Sequence, residues 1–400
     1  MNPPPEPVLL LHVGAMKTGT TYVQHLLQDN RRALEDAGWW VPEHKRVVQA
    51  TRELLELEGV ALGSGGGGGA TLDGAPRWTA LLDEARARTA EPGRRGAVLS
   101  MEFLSFMVPR GAALVRESAT GLDLQVVLTV RDAVQALPSQ WQSLTRNGQD
   151  VSWPDFVVGA RSPRQRPPLP GARAFRRTQD VPRMLRTWGD VVPPERLAVV
   201  TVPRGPAASR DLLWTRLCGL LGVDPATTDA TAFDNPQLGY GSCELMRLVN
   251  GAGLGDGGAP RPYRRVVRRL TRDHLLPLRE QQTRPRVDEA TAAFAVGLNA
   301  RTLALVAERA TLVGDPADLP VTVGAGHDLD AGDLPVAPPA VEVMRAAVAL
   351  HDGALALCAE QGVDVPESLA APLPDDVTAA VDRLAALLAL PVSRPRDGRG

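Results

Sequence analysis

Four hundred residues exceed one ordinary domain and predict two or three folding units. With 46 acidic against 44 basic side chains the net charge is −2, which excludes a nucleic-acid binder held by bulk charge. A hydrophobic share of 44% beside 22% charged residues excludes a disordered chain.

In chain order, Val8 to Val13 is a short apolar run before a glycine turn, the pattern of a buried parallel strand. The start, Met1 to Pro7, lacks the basic flank and long apolar stretch of a signal peptide. A helix is predicted from Thr20, with Val23, Leu26, Leu27 and Leu34 on one face. Residues 62–76, centred on Gly65 to Gly69, read as a flexible loop. Trp78 to Thr89 is helical, Ala97 to Met101 a second strand and Leu124 to Val130 a third. The helix that follows places Pro138 at its opening or at a second start. Arg161 to Arg177, rich in Pro and Arg, is expected to be a mobile loop. Val181 to Asp190 is a helix, Leu197 to Val202 a fourth strand and Asp211 to Leu221 a helix.

This alternation predicts an α/β fold: a P-loop-like three-layer sandwich, its central parallel sheet flanked by helices. After Tyr240 the strands are expected to stop, with helices over Cys243 to Asn250, Tyr263 to Leu276 and Val287 to Leu312. The expected division is an α/β domain over 1–320, a linker over 321–339 and an Ala/Leu-rich helical C-terminal extension over 340–395. No apolar run approaches the roughly 20 residues of a membrane span. Cys218, Cys243 and Cys358 have no paired spacing, so reduced thiols, a cytoplasmic location and no zinc are expected.

Among the 44 basic residues only Lys17 and Lys45 are lysines, leaving 42 arginines. Against that background a lysine marks a place where a compact ammonium serves and a planar fork does not. Lys17 lies in Gly14-Ala15-Met16-Lys17-Thr18-Gly19-Thr20-Thr21, between the first strand and its helix. Strand, glycine turn and helix N-terminus form an anion cradle, to which Thr20 and Thr21 add hydroxyls and Lys17 a point charge. The ATP loop G-x-x-x-x-G-K-[ST] sets lysine directly after the second glycine; here it precedes Gly19 by two residues, and the metal-binding logic fails.

The stretch from His12 to Thr21 resembles the 5′-phosphosulfate loop of sulfotransferases that use 3′-phosphoadenosine-5′-phosphosulfate (PAPS), and Arg131 to Trp141 is similar to their bacterial branch. That family binds the 3′-phosphate with an arginine after a later strand and a serine eight residues on; Arg131 and Ser139 match. The resemblance covers roughly residues 8–320 and includes Trp188, Leu213-Trp214, Asn235 and Leu245 to Asn250. It implies cofactor binding by Gly14, Lys17, Thr18, Gly19, Thr20, Thr21, Arg131 and Ser139, with PAPS as co-substrate, adenosine 3′,5′-bisphosphate (PAP) as product and no metal. Arg131 offers a bidentate fork, and Ser139 after Pro138 is expected near a helix start. Lys17 is the catalytic cation for the bridging oxygen.

Glu102 follows the second strand, between Met101 and Phe103, at the sheet edge where ligands of open α/β sheets bind. Apolar neighbours favour a general base there, and branches of the family carry glutamate at this place. His12 is expected to plug the sheet and His25 to pack or face solvent. The implied acceptor is a hydroxyl, secondarily an amine, of a small molecule, saccharide or lipid. Nucleic acid is not an expected partner, and oligomeric state is not encoded legibly. A kinase-like ATP-dependent phosphotransferase and a non-catalytic nucleotide-binding scaffold are the alternatives. Arg161 to Arg177 and the arginines 264, 265, 268, 269 and 272 read as an anionic-ligand rim or as a solvated surface, the latter favoured. Trp39, Trp40, Trp141 and Trp153 read as acceptor platforms or, more often, as core.

Overall fold

The computed structural model describes residues 6–57, 72–205, 209–231, 237–253, 261–324, 327, 329–330 and 337–391. The glycine run of the expected 62–76 loop, Asn235 and much of the 321–339 linker lie outside them.

Short apolar runs form a six-stranded sheet in the order β2-β3-β1-β4-β5-β7. The strands are β1 Val8–His12, β2 Trp39–Trp40, β3 Gly96–Ser100, β4 Asp123–Val130, β5 Leu197–Thr201 and β7 Thr311–Val313. Every pairing is parallel, with Val8 opposite Gly96 on one side and Asp123 on the other. The protein is thus α/β with helices on both sheet faces. Strand alternation sends Leu9, Leu11, Ala97, Leu99, Val126 and Leu128 into one core. There they meet the helices His44–Leu57, Pro76–Thr89 and Val181–Gly189. Leu10, Val98, Val127 and Val200 enter the opposite core, against helix α1 (Thr20–Asp29) and the Ser209–Leu221 helix.

Inter-residue contacts divide the chain into two units, each drawn from three separate stretches of sequence. The first comprises Met1–Ala136, Ala174–Asp234 and Ala292–His327; the second comprises Leu137–Arg173, Asn235–Thr291 and Asp328–Gly400. The six-stranded sheet belongs to the first unit. Within the second, the tail helices Ala340–Glu360 and Val377–Ala389 pack on the Tyr240–Gly253 helix. Trp141, Trp153, Phe156 and Tyr240 form an aromatic cluster in the same unit.

Four expectations are corrected. Strands do not stop at Tyr240: β7 extends the main sheet, and β6 Val287–Asp288 pairs with β8 Leu329–Asp330. Such two- and three-residue strands carry no period of their own and exist through their neighbours' hydrogen bonds. Arg161 to Arg177 is not one loop, because Ala172–Thr178 is helical and Phe175 is buried. Pro138 sits inside the Ala133–Arg146 helix. That helix starts at Asp132, whose Oδ1 accepts from the Val134 N–H at 3.1 Å while its carbonyl accepts from Ala136 at 2.9 Å. Pro138 therefore deletes one mid-helix donor without ending the helix. Finally, the helix Glu289–Arg309 is long and apolar enough to span a membrane, although 44% of its most apolar window is buried in the protein.

Candidate functional site

The first strand does not end abruptly at His12. Val13 and Ala15 donate to the Val127 and Thr129 carbonyls at 2.9 and 3.1 Å, so the chain keeps beside β4 before it turns. Gly14 follows at φ 35°, where a Cβ would collide with the Thr20 side chain and the Thr129 hydroxyl. Gly19, at φ 81°, is the N-cap of α1, and a Cβ there would strike Leu213. Between them Lys17 has φ 65°, and among the described residues no other non-glycine has positive φ. An L-residue pays roughly 1–2 kcal/mol for that conformation.

Around it the loop is tied down. Gln179 Nε2 donates to the Met16 carbonyl at 2.7 Å. The Thr18 hydroxyl is buried and donates to the Ala15 carbonyl at 2.6 Å. Helix α1 starts without a side-chain cap and with no acid in its first turn. Its first amides and positive dipole end therefore suit an anion. Thr20 is buried and Thr21 half-buried in that turn. Lys45, by contrast, lies exposed on the His44–Leu57 helix, so the scarcity of lysine singles out a constrained position only at Lys17.

Beneath the loop lies a buried polar row. His12 Nδ1 is 2.7 Å from Ser100 Oγ, His12 Nε2 is 3.2 Å from Thr129 Oγ1, and Thr129 Oγ1 is 2.7 Å from Thr18 Oγ1. Burial pushes the His12 imidazole down to about 4. His12 thus plugs the sheet as the sequence suggests.

Glu102 opens a short 3₁₀ turn, Glu102–Phe106, directly after β3. Met101 before it donates to the His12 carbonyl at 3.0 Å, which sets Glu102 at the same sheet edge as the loop. The half-buried carboxylate accepts from Gln24 Nε2 of α1 at 2.6 Å. Gln24 also lines a small cleft, of about 10 Å³, with Leu27, Val41, His44, Val47 and Ser100. Burial pushes the His44 imidazole down and the His25 charge adds to that, while Glu102 opposes it. His25 itself is exposed. Gln24 was missed in the sequence, where a glutamine on an amphipathic helix carries no signal of its own.

Arg131 leaves β4 at this edge, half-buried, with Nη2 and Nε donating to Gln135 Oε1 at 2.9 and 3.3 Å. Burial lowers its affinity for the proton, and Asp132 opposes that shift. Ser139 is corrected: it is the seventh residue of its helix, not near a start, and its Oγ accepts from Gln237 Nε2 at 2.8 Å. Asp132, also unflagged by sequence, is fully buried beside the motif. It accepts from Asn299 Nδ2 at 3.0 Å and lies 3.3 Å from His327 Nε2 and 3.7 Å from Arg204 Nε. An N-cap aspartate looks ordinary in sequence; its partners come from segments 70 to nearly 200 residues away.

The four tryptophans are core residues, all at most 6% exposed. In the arginine-rich segment, Arg269 bonds Glu360 and Arg272 bonds Asp273, both at the surface. The Arg264 side chain lies outside the described ones. These pairings fit the solvated-surface reading.

No family model and no curated protein matches the chain. Among solved structures, it is similar to a sulfotransferase from Alicyclobacillus acidocaldarius, at 17% identity and a TM-score of 0.36, over 58% of this chain and 87% of that one.

Proposed function

We propose that this chain is a PAPS-dependent sulfotransferase that moves the sulfuryl group to a hydroxyl, or secondarily an amine, of a small-molecule, saccharide or lipid acceptor. The observation that carries the reading is Lys17, held at φ 65° in a glycine-bounded turn that runs into the uncapped N-terminus of α1. Backbone strain of this kind persists where a site needs it. The donor set fits a phosphosulfate: backbone amides, the Thr20 and Thr21 hydroxyls and one ammonium, on a turn whose two glycines have no room for a Cβ against Thr20, Thr129 and Leu213. Arg131 is proposed for the 3′-phosphate. Ser139 is retained for it on the sequence pattern.

In the proposed reaction the acceptor oxygen attacks sulfur in line as the bond from sulfur to the 5′-phosphate oxygen breaks. Lys17 stabilises charge growing on that oxygen, and Glu102, oriented by Gln24, takes the acceptor proton. The products are the sulfate ester and PAP. Free, buried Cys218, Cys243 and Cys358 accord with the proposed cytoplasmic setting.

The test is thermal melting with PAP against ATP plus Mg²⁺. A true ligand raises the transition as RT ln(1 + [L]/Kd). Stabilisation by PAP is expected; stabilisation by ATP–Mg²⁺ alone supports a phosphotransferase instead.

A further inference from the structure

The buried row under the loop has a fixed direction. The Ala15 carbonyl can only accept, so the Thr18 hydroxyl spends its one proton on it. Thr129 must then donate to Thr18, which leaves Thr129 Oγ1 to accept from His12. The proton therefore sits on His12 Nε2, and bare Nδ1 accepts from the Ser100 hydroxyl. Each of the four groups has one arrangement that satisfies its neighbours. The chain begins in the wall of the cleft, at Ser100, and ends on the backbone of the loop that carries Lys17. All four side chains are buried, so water does not replace a missing link without cost.

We infer that His12 is a positioning residue: neutral, with its proton on Nε2, it sets the conformation of the anion loop through Thr129 and Thr18. The inference rests on the reading that this loop grips the phosphosulfate end of the donor. His12 touches no substrate; it acts by fixing which way each hydroxyl points. A half-satisfied buried network costs more than an apolar one, so the loop is held in one state before a ligand arrives, which lowers the ordering cost of binding. Ser100 uses its proton on His12 and also lines the cleft, so the cleft wall and the anion loop share one hydrogen-bonded unit.

Three variants with two readouts test this. Thr129→Val keeps the strand's β-branched shape but cuts the row in the middle; Thr129→Ser restores the hydroxyl. His12→Gln offers an amide oxygen toward Ser100 and an amide N–H toward Thr129. PAP affinity by calorimetry is expected to fall about ten-fold in folded Thr129→Val and to return in Thr129→Ser and largely in His12→Gln. Long-range ¹⁵N spectra of His12 in the parent should show the neutral Nε2–H tautomer between pH 6 and 8. Unchanged PAP affinity in Thr129→Val, or a proton on Nδ1, overturns the inference while PAP binding by the parent stands. A parent that binds no PAP overturns the donor reading and this inference with it.

Discussion

Gln24 and Glu102, 78 residues apart in sequence, meet through a 2.6 Å hydrogen bond from an amide donor to a carboxylate oxygen. One end belongs to the helix that follows the Lys17 loop, the other to the turn that follows β3. The bond aims the proposed base from the same helix whose N-terminus forms the proposed cradle. Glu102→Gln is expected to cut turnover about 10²-fold or more with PAP affinity unchanged. Gln24→Leu, which frees the carboxylate to rotate, should lower turnover about ten-fold with donor KM unchanged. Parent-like turnover in Glu102→Gln removes that residue from the role of base.

Lys17 offers a separation of strain from function. Glycine accepts φ 65° freely, so Lys17→Gly should retain stability or gain up to about 1 kcal/mol in urea unfolding. Turnover of the same variant should fall about 10²–10³-fold, the usual effect of removing a preorganised charge donor. A variant that loses both stability and activity would point to a merely structural lysine.

Arg131 tests the 3′-phosphate assignment by ligand comparison. In the parent, PAP should bind more tightly than adenosine 5′-monophosphate. Arg131→Ala should erase about ten- to hundred-fold of that preference, and Arg131→Lys should fail to restore it because the planar fork is lost. Ser139→Ala, measured beside it and in the double variant, reads any shared action on the same ligand. Equal preference in parent and Arg131→Ala removes Arg131 from this phosphate.

His12 predicts a pH dependence of stability. Its folded-state value, about 4, lies below the ordinary histidine range, so the unfolded chain binds the proton more readily. Stability from this group is full above about pH 6.5 and falls as pH drops toward 4, by roughly 3 kcal/mol when complete. The half-buried His44 adds a slope of the same sign. Urea midpoints at pH 7, 5.5 and 4.5 should fall in the parent and fall less steeply in His12→Gln. Parallel profiles in the two proteins would contradict a buried neutral imidazole.

Much of this was legible one segment at a time. Val8 to His12, Gly96 to Ser100, Asp123 to Val130 and Leu197 to Thr201 announce themselves because strands buried on both faces must be continuously apolar. Gly14, Lys17 and Gly19 stand out because a turn with positive φ favours glycine and lysine is scarce in this chain. Trp39–Trp40 and Thr311–Val313 escaped notice, being too short for a period, and Pro138 suggested a start that Asp132 in fact supplies.

The sequence by itself determined the parallel α/β sheet, the loop after its first strand, and the arrival of Glu102 and Arg131 at the carboxyl ends of their strands. Those are properties of local pattern and residue chemistry. Only the tertiary structure decided that Gln24 holds Glu102, that His12 reaches Ser100 and Thr129, and that Asp132 is buried with Asn299 and His327. Hydrogen bonds join groups by direction and distance in space, and nothing in the neighbourhood of one partner along the chain encodes the position of the other.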